Sequence, residues 1–99
     1  IRNKDVGISV QDLSAVNTAK KFGIKSDDKG VVITAVEKNS PADKGDLQAG
    51  DLIKEVDKKK IQDKDDFEKA MKAADLKEGI LFVVEREGSS FFVVISSGN

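Results

Sequence analysis

GVVITAVEKNSPADKGDLQAGDLI, Gly30 to Ile53, decides the fold. It opens on a β-branched run, Val31 to Val36, that suits a central strand. Ser40-Pro41-Ala42 then reads as a helix start, with Ser40 as the cap and Pro41 at the first helical position, where a missing N–H costs nothing. One or two turns fit before Leu47. An Ala49-Gly50-Asp51 corner follows, and Asp51 to Val56 resumes a strand pattern.

Towards the N-terminus, Val6 to Gln11 is a short strand. Ser14 caps a helix whose Ala15, Val16, Ala19 and Phe22 share one face, Gly23 ends it, and a Ser-Asp-Asp-Lys turn leads back to Gly30. Towards the C-terminus, Asp57-Lys58 marks a tight turn to Ile61. Lys58, Lys59 and Lys60 form a basic run that reads as a solvated hairpin. Asp63 and Asp66 resemble a capping box with Asp at both positions, so a helix starts near Lys64. Its Phe67, Ala70, Met71 and Ala74 follow the i, i+3, i+4, i+7 spacing of an apolar stripe. Gly79 interrupts, and Ile80 to Glu85 and Phe91 to Ile95 make the last two strands around a Glu87-Gly88-Ser89 turn.

The order of elements predicts an α+β fold: a partly open antiparallel barrel or sandwich of five to six short strands, with two main helices and one short one. Phe67, Phe82, Phe91 and Phe92 are expected in the core with the Val and Ile residues. A length of 99 residues allows one domain spanning residues 1–99 and leaves no room for a second. The polar ends, with no leader sequence in view, lead us to expect a piece excised from a larger chain.

Composition narrows function. With 17 basic and 18 acidic residues, the chain has no electrostatic footprint for nucleic acid and no basic stretch for a membrane surface. Its longest apolar run, Ile80 to Val84, is far too short to span a bilayer, so a soluble domain without membrane insertion is expected. The absence of both His and Cys removes a Ser-His-Asp triad, thiolate metal sites and disulfides. The Asp and Glu residues alternate with Lys on surface-like elements, which gives no buried carboxylate pair for acid–base work. We expect no catalysis by this chain, no cofactor and no metal.

Four segments together carry a family resemblance: Gly7 to Ile24, Gly30 to Val56, Asp65 to Met71 and Ile80 to Ile95. They resemble the PDZ domains of bacterial HtrA/Deg-family (Do-like) serine proteases over nearly the whole chain. The resemblance implies peptide binding. In that family a carboxylate-binding loop precedes the ligand-pairing strand, and the matching residues here are Asp5-Val6-Gly7-Ile8. Successive backbone N–H groups in a tight loop can converge on a carboxylate, and Gly7 removes the Cβ that would block approach. On its own Gly7 would read as the start of a strand. Ile8, Ser9, Val10 and Gln11 would form the edge to which an extended peptide adds, with Ile8 and Val10 on one face. The facing helix would contribute from Phe67, Ala70, Met71 and Ala74, although such a stripe is usually core; Met71 suits an adaptable pocket.

Departures from the family pattern locate the points of interest. Asp5 stands where many relatives carry an aromatic residue; its charge would disfavour a carboxylate or favour a ligand with a basic neighbour, and Lys4 or Arg2 would offset it. Gly45-Asp46-Leu47 replaces Ala-Gly-Leu, and Asp57-Lys58 replaces Asn-Gly. Asp tolerates left-handed backbone, so the fold should survive both.

The function expected is capture of exposed C-terminal tails, apolar at the last residue, for substrate recognition or regulation of a linked periplasmic or envelope serine protease. Its partners would be C-terminal or unfolded peptide segments and the parent's protease domain, the parent being a homo-oligomer and the isolated domain a monomer. Dissociation constants on the order of micromolar or weaker follow from a few charge-assisted bonds set against the cost of ordering a tail. The alternatives are an assembly module that binds internal segments or neighbouring domains, or the PDZ domain of a C-terminal processing or intramembrane protease.

Overall fold

The computed structural model describes residues 2–3, 6–12, 30–86 and 89–96, with the backbone alone for Arg2 and Asn3. The expected helix from Ser14, the turn before Gly30, the Glu87-Gly88 turn, and Lys4 and Asp5 all lie outside these residues. Strands β1 (Arg2–Asn3), β2 (Ile8–Asp12) and β3 (Val31–Val36) lead to the short helix α1 (Pro41–Lys44). Then come β4 (Leu52–Val56), β5 (Lys59–Lys60), the helix α2 (Lys64–Ala73), β6 (Ile80–Arg86) and β7 (Ser89–Ile95). The expected first strand therefore begins two residues late, because Val6 and Gly7 form a turn.

The strands lie in the order β1-β2-β3-β4-β6-β7, with β5 attached to β4, and every pairing is antiparallel. The antiparallel α+β fold expected as a partly open barrel or sandwich takes the form of an open sheet, its strand count raised by the two-residue strands β1 and β5. Alternate residues of β2, β3, β4 and β6 face one core with Phe67 and Ala70 of α2. Val31, Val32 and Ile33 are all fully buried, as befits a central strand. Phe92 corrects the expected core: it is 75% exposed, because the period of two along β7 turns Phe91, Val93 and Ile95 inward and Phe92 and Val94 outward.

Local chemistry explains the connections. Ser40 caps α1, accepting from the Asp43 N–H (3.2 Å) while its hydroxyl donates to the Glu37 carbonyl (2.7 Å). Asp63 caps α2 by accepting from the Asp66 N–H (2.9 Å); the Asp66 carboxylate reaches back one residue beyond the cap, to the Gln62 N–H (3.1 Å), rather than to Asp63 itself. Asp57 and Lys58 both have positive φ, 49° and 70°, which gives the turn that matches the twist of its flanking strands. Asp46 is left-handed at φ 69°. At the corner, Asp51 is buried, its carboxylate accepting from the Gln48 N–H (2.9 Å) and paired with Arg86 from β6.

Candidate functional site

The site is built where β2 leaves the Val6-Gly7 turn. Gly7 has φ +87°, and a Cβ there would land inside the Ser40 side chain, so α1 and the turn approach as closely as backbone allows. Two hydrogen bonds fix the turn. The Val6 carbonyl accepts from the Ala42 N–H at the start of α1 (3.0 Å), and the Gly7 carbonyl accepts from the Glu37 N–H just past β3 (2.8 Å). No peptide bond in the described chain is cis, so each N–H points opposite to the carbonyl of its own peptide plane. With both carbonyls held against α1 and the end of β3, the Gly7 and Ile8 N–H groups face the other way, towards the outer edge of β2. Successive outward N–H groups in a tight turn are a concave donor site for an anion.

Beyond the turn, β2 pairs with β3 along its inner edge, from Ile8 opposite Val36 to Asp12 opposite Val31, with an irregularity between Ser9 and Val10. Thr34 adds a bond from Oγ1 to the Ser9 carbonyl (3.2 Å). On the outer edge the sequence expectation meets an occupant: β1 pairs there, Arg2 opposite Ser9 and Asn3 opposite Ile8. The Ile8–Ser9 end of the edge is thus covered by the chain's own backbone, and the β1 register stops short of Val10, Gln11 and Asp12.

The helix α2 lies alongside. Asp12, the last residue of β2, accepts from the Lys64 N–H at the helix N-terminus, which ties the far end of β2 to the first turn of α2. The apolar stripe then divides. Phe67 and Ala70 are 1% and 4% exposed and belong to the core, whereas Met71 and Ala74 are half-buried at its margin. On β2 itself, Ile8 and Val10 point into the core, Ser9 is half-buried and Gln11 is exposed. The structure therefore joins the far end of β2 to the first turn of α2 and packs Met71 and Ala74 against the same core as Val6 and Ile8. It assigns Ile8, Val10, Phe67 and Ala70 to packing that shapes the site from beneath. Lys4 and Asp5 lie outside the described residues.

Ala42 and Glu37 were not among the site residues expected from the sequence, yet their N–H groups hold the turn in place. The signal for Ala42 was the Ser-Pro-Ala cap, which reads as a local helix device until Gly7 is found against Ser40.

Known proteins share this fold. A family profile described as "PDZ domain" matches residues 4–93. The chain is 34% identical, over 91% of its length, to a probable periplasmic serine endoprotease DegP-like of Chlamydia pneumoniae, of which it covers 18%. It is also 34% identical, over 60% of its length, to a serine protease HtrA-like of Staphylococcus aureus, of which it covers 8%. The chain thus spans less than a fifth of the length of these curated relatives. Among solved structures, an HtrA3 PDZ domain bound to a phage-derived ligand (FGRWV) superposes with a TM-score of 0.76 at 22% identity, covering 92% of this chain and 81% of that one. The HtrA-type protease AlgW with a decapeptide gives 0.78 at 26%, covering 94% of this chain and 28% of that one. The chain belongs to the PDZ domain family, and the relatives in which its sequence recurs are HtrA- and DegP-type serine proteases.

Proposed function

We propose that this domain captures extended peptide tails by adding them to the outer edge of β2, displacing β1 from Ile8 and Ser9, with the terminal carboxylate seated at the Gly7 and Ile8 N–H groups. The observation that carries the reading is the anchoring of the Val6 and Gly7 carbonyls to Ala42 and Glu37, which turns those donors outward. Met71 and Ala74 on the α2 margin supply an apolar flank for the last side chain. The peptides bound to the HtrA3 PDZ domain and present with AlgW support a peptide as the ligand class. By similarity to the DegP-like relatives, the domain serves a serine endoprotease of the periplasm or cell envelope, carried elsewhere in the same polypeptide. As a piece of that longer chain, residues 1–99 form one recognition unit.

The test is a titration with a labelled peptide ending in a free apolar residue, against the same peptide amidated. The free acid should bind at least tenfold more tightly; equal binding would remove the carboxylate seat. Replacing Gly7 with a β-branched residue is a poor probe, because the new side chain would collide with Ser40 and strain the fold as well as the site.

One observation favours a second reading, an assembly module that takes internal segments. β1 already lies on the β2 edge as an internal stretch of chain. Under that reading, acid and amide peptides would bind alike, and an internal segment flanked on both sides would bind as well as either.

A further inference from the structure

The strand order ends at β7, and the outer ladder edge of β7 carries no strand among the described residues. Exposed edges are ordinarily protected by Lys, Pro or brevity. β7 has none of these: Ser89 to Ile95 reads SSFFVVI, seven residues without a charge or a proline. Its outward side chains are also apolar. Phe92 and Val94 are 75% and 64% exposed, and in the ladder they stand opposite the half-buried Val83 and Leu81 of β6. An unprotected edge and an exposed apolar face thus coincide on one strand, which marks an interaction surface.

The sequence of the strand indicates its occupant. We propose that β7 pairs antiparallel with β7 of a second copy of this chain, about a twofold axis passing midway between Val93 and the partner's Val93. In that register the outward residues fall in step. Phe92 meets the partner's Val94, and Val94 meets the partner's Phe92. Each four-strand row then runs Leu81, Val94, the partner's Phe92, the partner's Val83, so two continuous apolar rows form on one face. Ser90 meets the partner's Ser96, and no charged side chain lies anywhere on the paired strands. Twofold pairing sets a strand against its own sequence, so a strand without charge meets no repulsion, and aromatic beside β-branched is a favourable cross-strand pair. The other end of the sheet order is β1, so dimerisation through β7 leaves the β1–β2 end of the sheet outside the contact in both copies. This replaces the monomer expected from the sequence. Seven-residue strands bury less than a standard interface, so the dissociation constant should be on the order of 100 µM.

Sedimentation of the 99-residue chain between about 10 µM and about 1 mM, a range set around that constant, reads the association. The weight-average mass should rise from 10.7 kDa towards twice that value. Val94→Lys, at a position already exposed, should weaken dimerisation at least tenfold with an unchanged circular dichroism spectrum. The register is read by thiols, since the chain has no cysteine of its own. Ser90→Cys mixed with Ser96→Cys should form a disulfide-linked pair faster than Ser90→Cys alone, because directly opposed residues lie within bridging range. A chain that stays monomeric to about 1 mM, a Val94→Lys variant that dimerises undiminished, or Ser90→Cys linking to itself as readily as to Ser96→Cys would each overturn the proposal.

Discussion

The Arg86 guanidinium holds the buried Asp51 carboxylate through two hydrogen bonds of 2.7 Å, Nε to Oδ1 and Nη2 to Oδ2. The same Nη2 donates to the Asp46 carbonyl (2.9 Å), and the guanidinium lies over the Phe91 ring, 4.8 Å from its centroid. One side chain of β6 thereby clamps the Ala-Gly-Asp corner, the turn after α1 and β7. The Asp51 side chain is 2% exposed, against 31% for Arg86.

Removing Arg86 leaves that carboxylate with little compensation. Arg86→Met should cost about 3 kcal/mol of stability, because breaking a pair with one deeply buried partner strands a charge. Asp51→Asn in the same background should recover part of the loss. Urea denaturation of the two single variants and the double variant checks both; additive losses would show that the pair is not coupled.

Lys58 offers the opposite effect. Its φ of 70° is unfavourable for a side chain, and Lys58→Gly should stabilise the hairpin by about 0.5–1 kcal/mol after the extra unfolded-state entropy of glycine is deducted. Asp57 should be left unchanged, since its Oδ1 accepts from the Leu81 N–H (2.9 Å). The shift in denaturation midpoint is the measurement.

The two halves of the α2 stripe should separate in a paired experiment. Met71→Ala should weaken peptide binding about three- to tenfold and cost about 1–2 kcal/mol of stability, as suits a half-buried residue. Phe67→Ala should cost about 3–5 kcal/mol and lose binding through the fold. Binding unaffected by Met71→Ala in a folded variant would move the pocket away from α2.

If β1 competes with an incoming peptide for the Ile8–Ser9 edge, deleting residues 1–3 should raise peptide affinity by a few-fold, without a matching loss of thermal stability. Unchanged affinity would mean that the peptide and β1 do not share that edge.

Much of this architecture was legible in the sequence, for reasons that particular residues show. Ser40-Pro41 and Asp63 announce helix starts because capping is a local, side-chain-to-backbone effect. Val31 to Val36 announces a central strand because β-branched residues in a continuous run suit burial. The outward placement of Phe92 was hidden, because a run of five apolar residues, Phe91 to Ile95, has no visible period until pairing with β6 fixes which members face inward. Gly7 was singled out correctly as a residue that needs freedom of backbone, but its contact with Ser40 is tertiary, between positions 33 residues apart by number, and no local pattern reports it. The Arg86–Asp51 clamp was invisible for the same reason.

The tethering of the Val6 and Gly7 carbonyls has an energetic consequence for whatever the turn receives. Because Ala42 and Glu37 fix its shape during folding, the turn is preorganised, and the entropy of binding should come from the incoming chain alone. Stiffening the ligand should therefore be the efficient route to tighter association, and effort spent rigidifying the turn should return nothing.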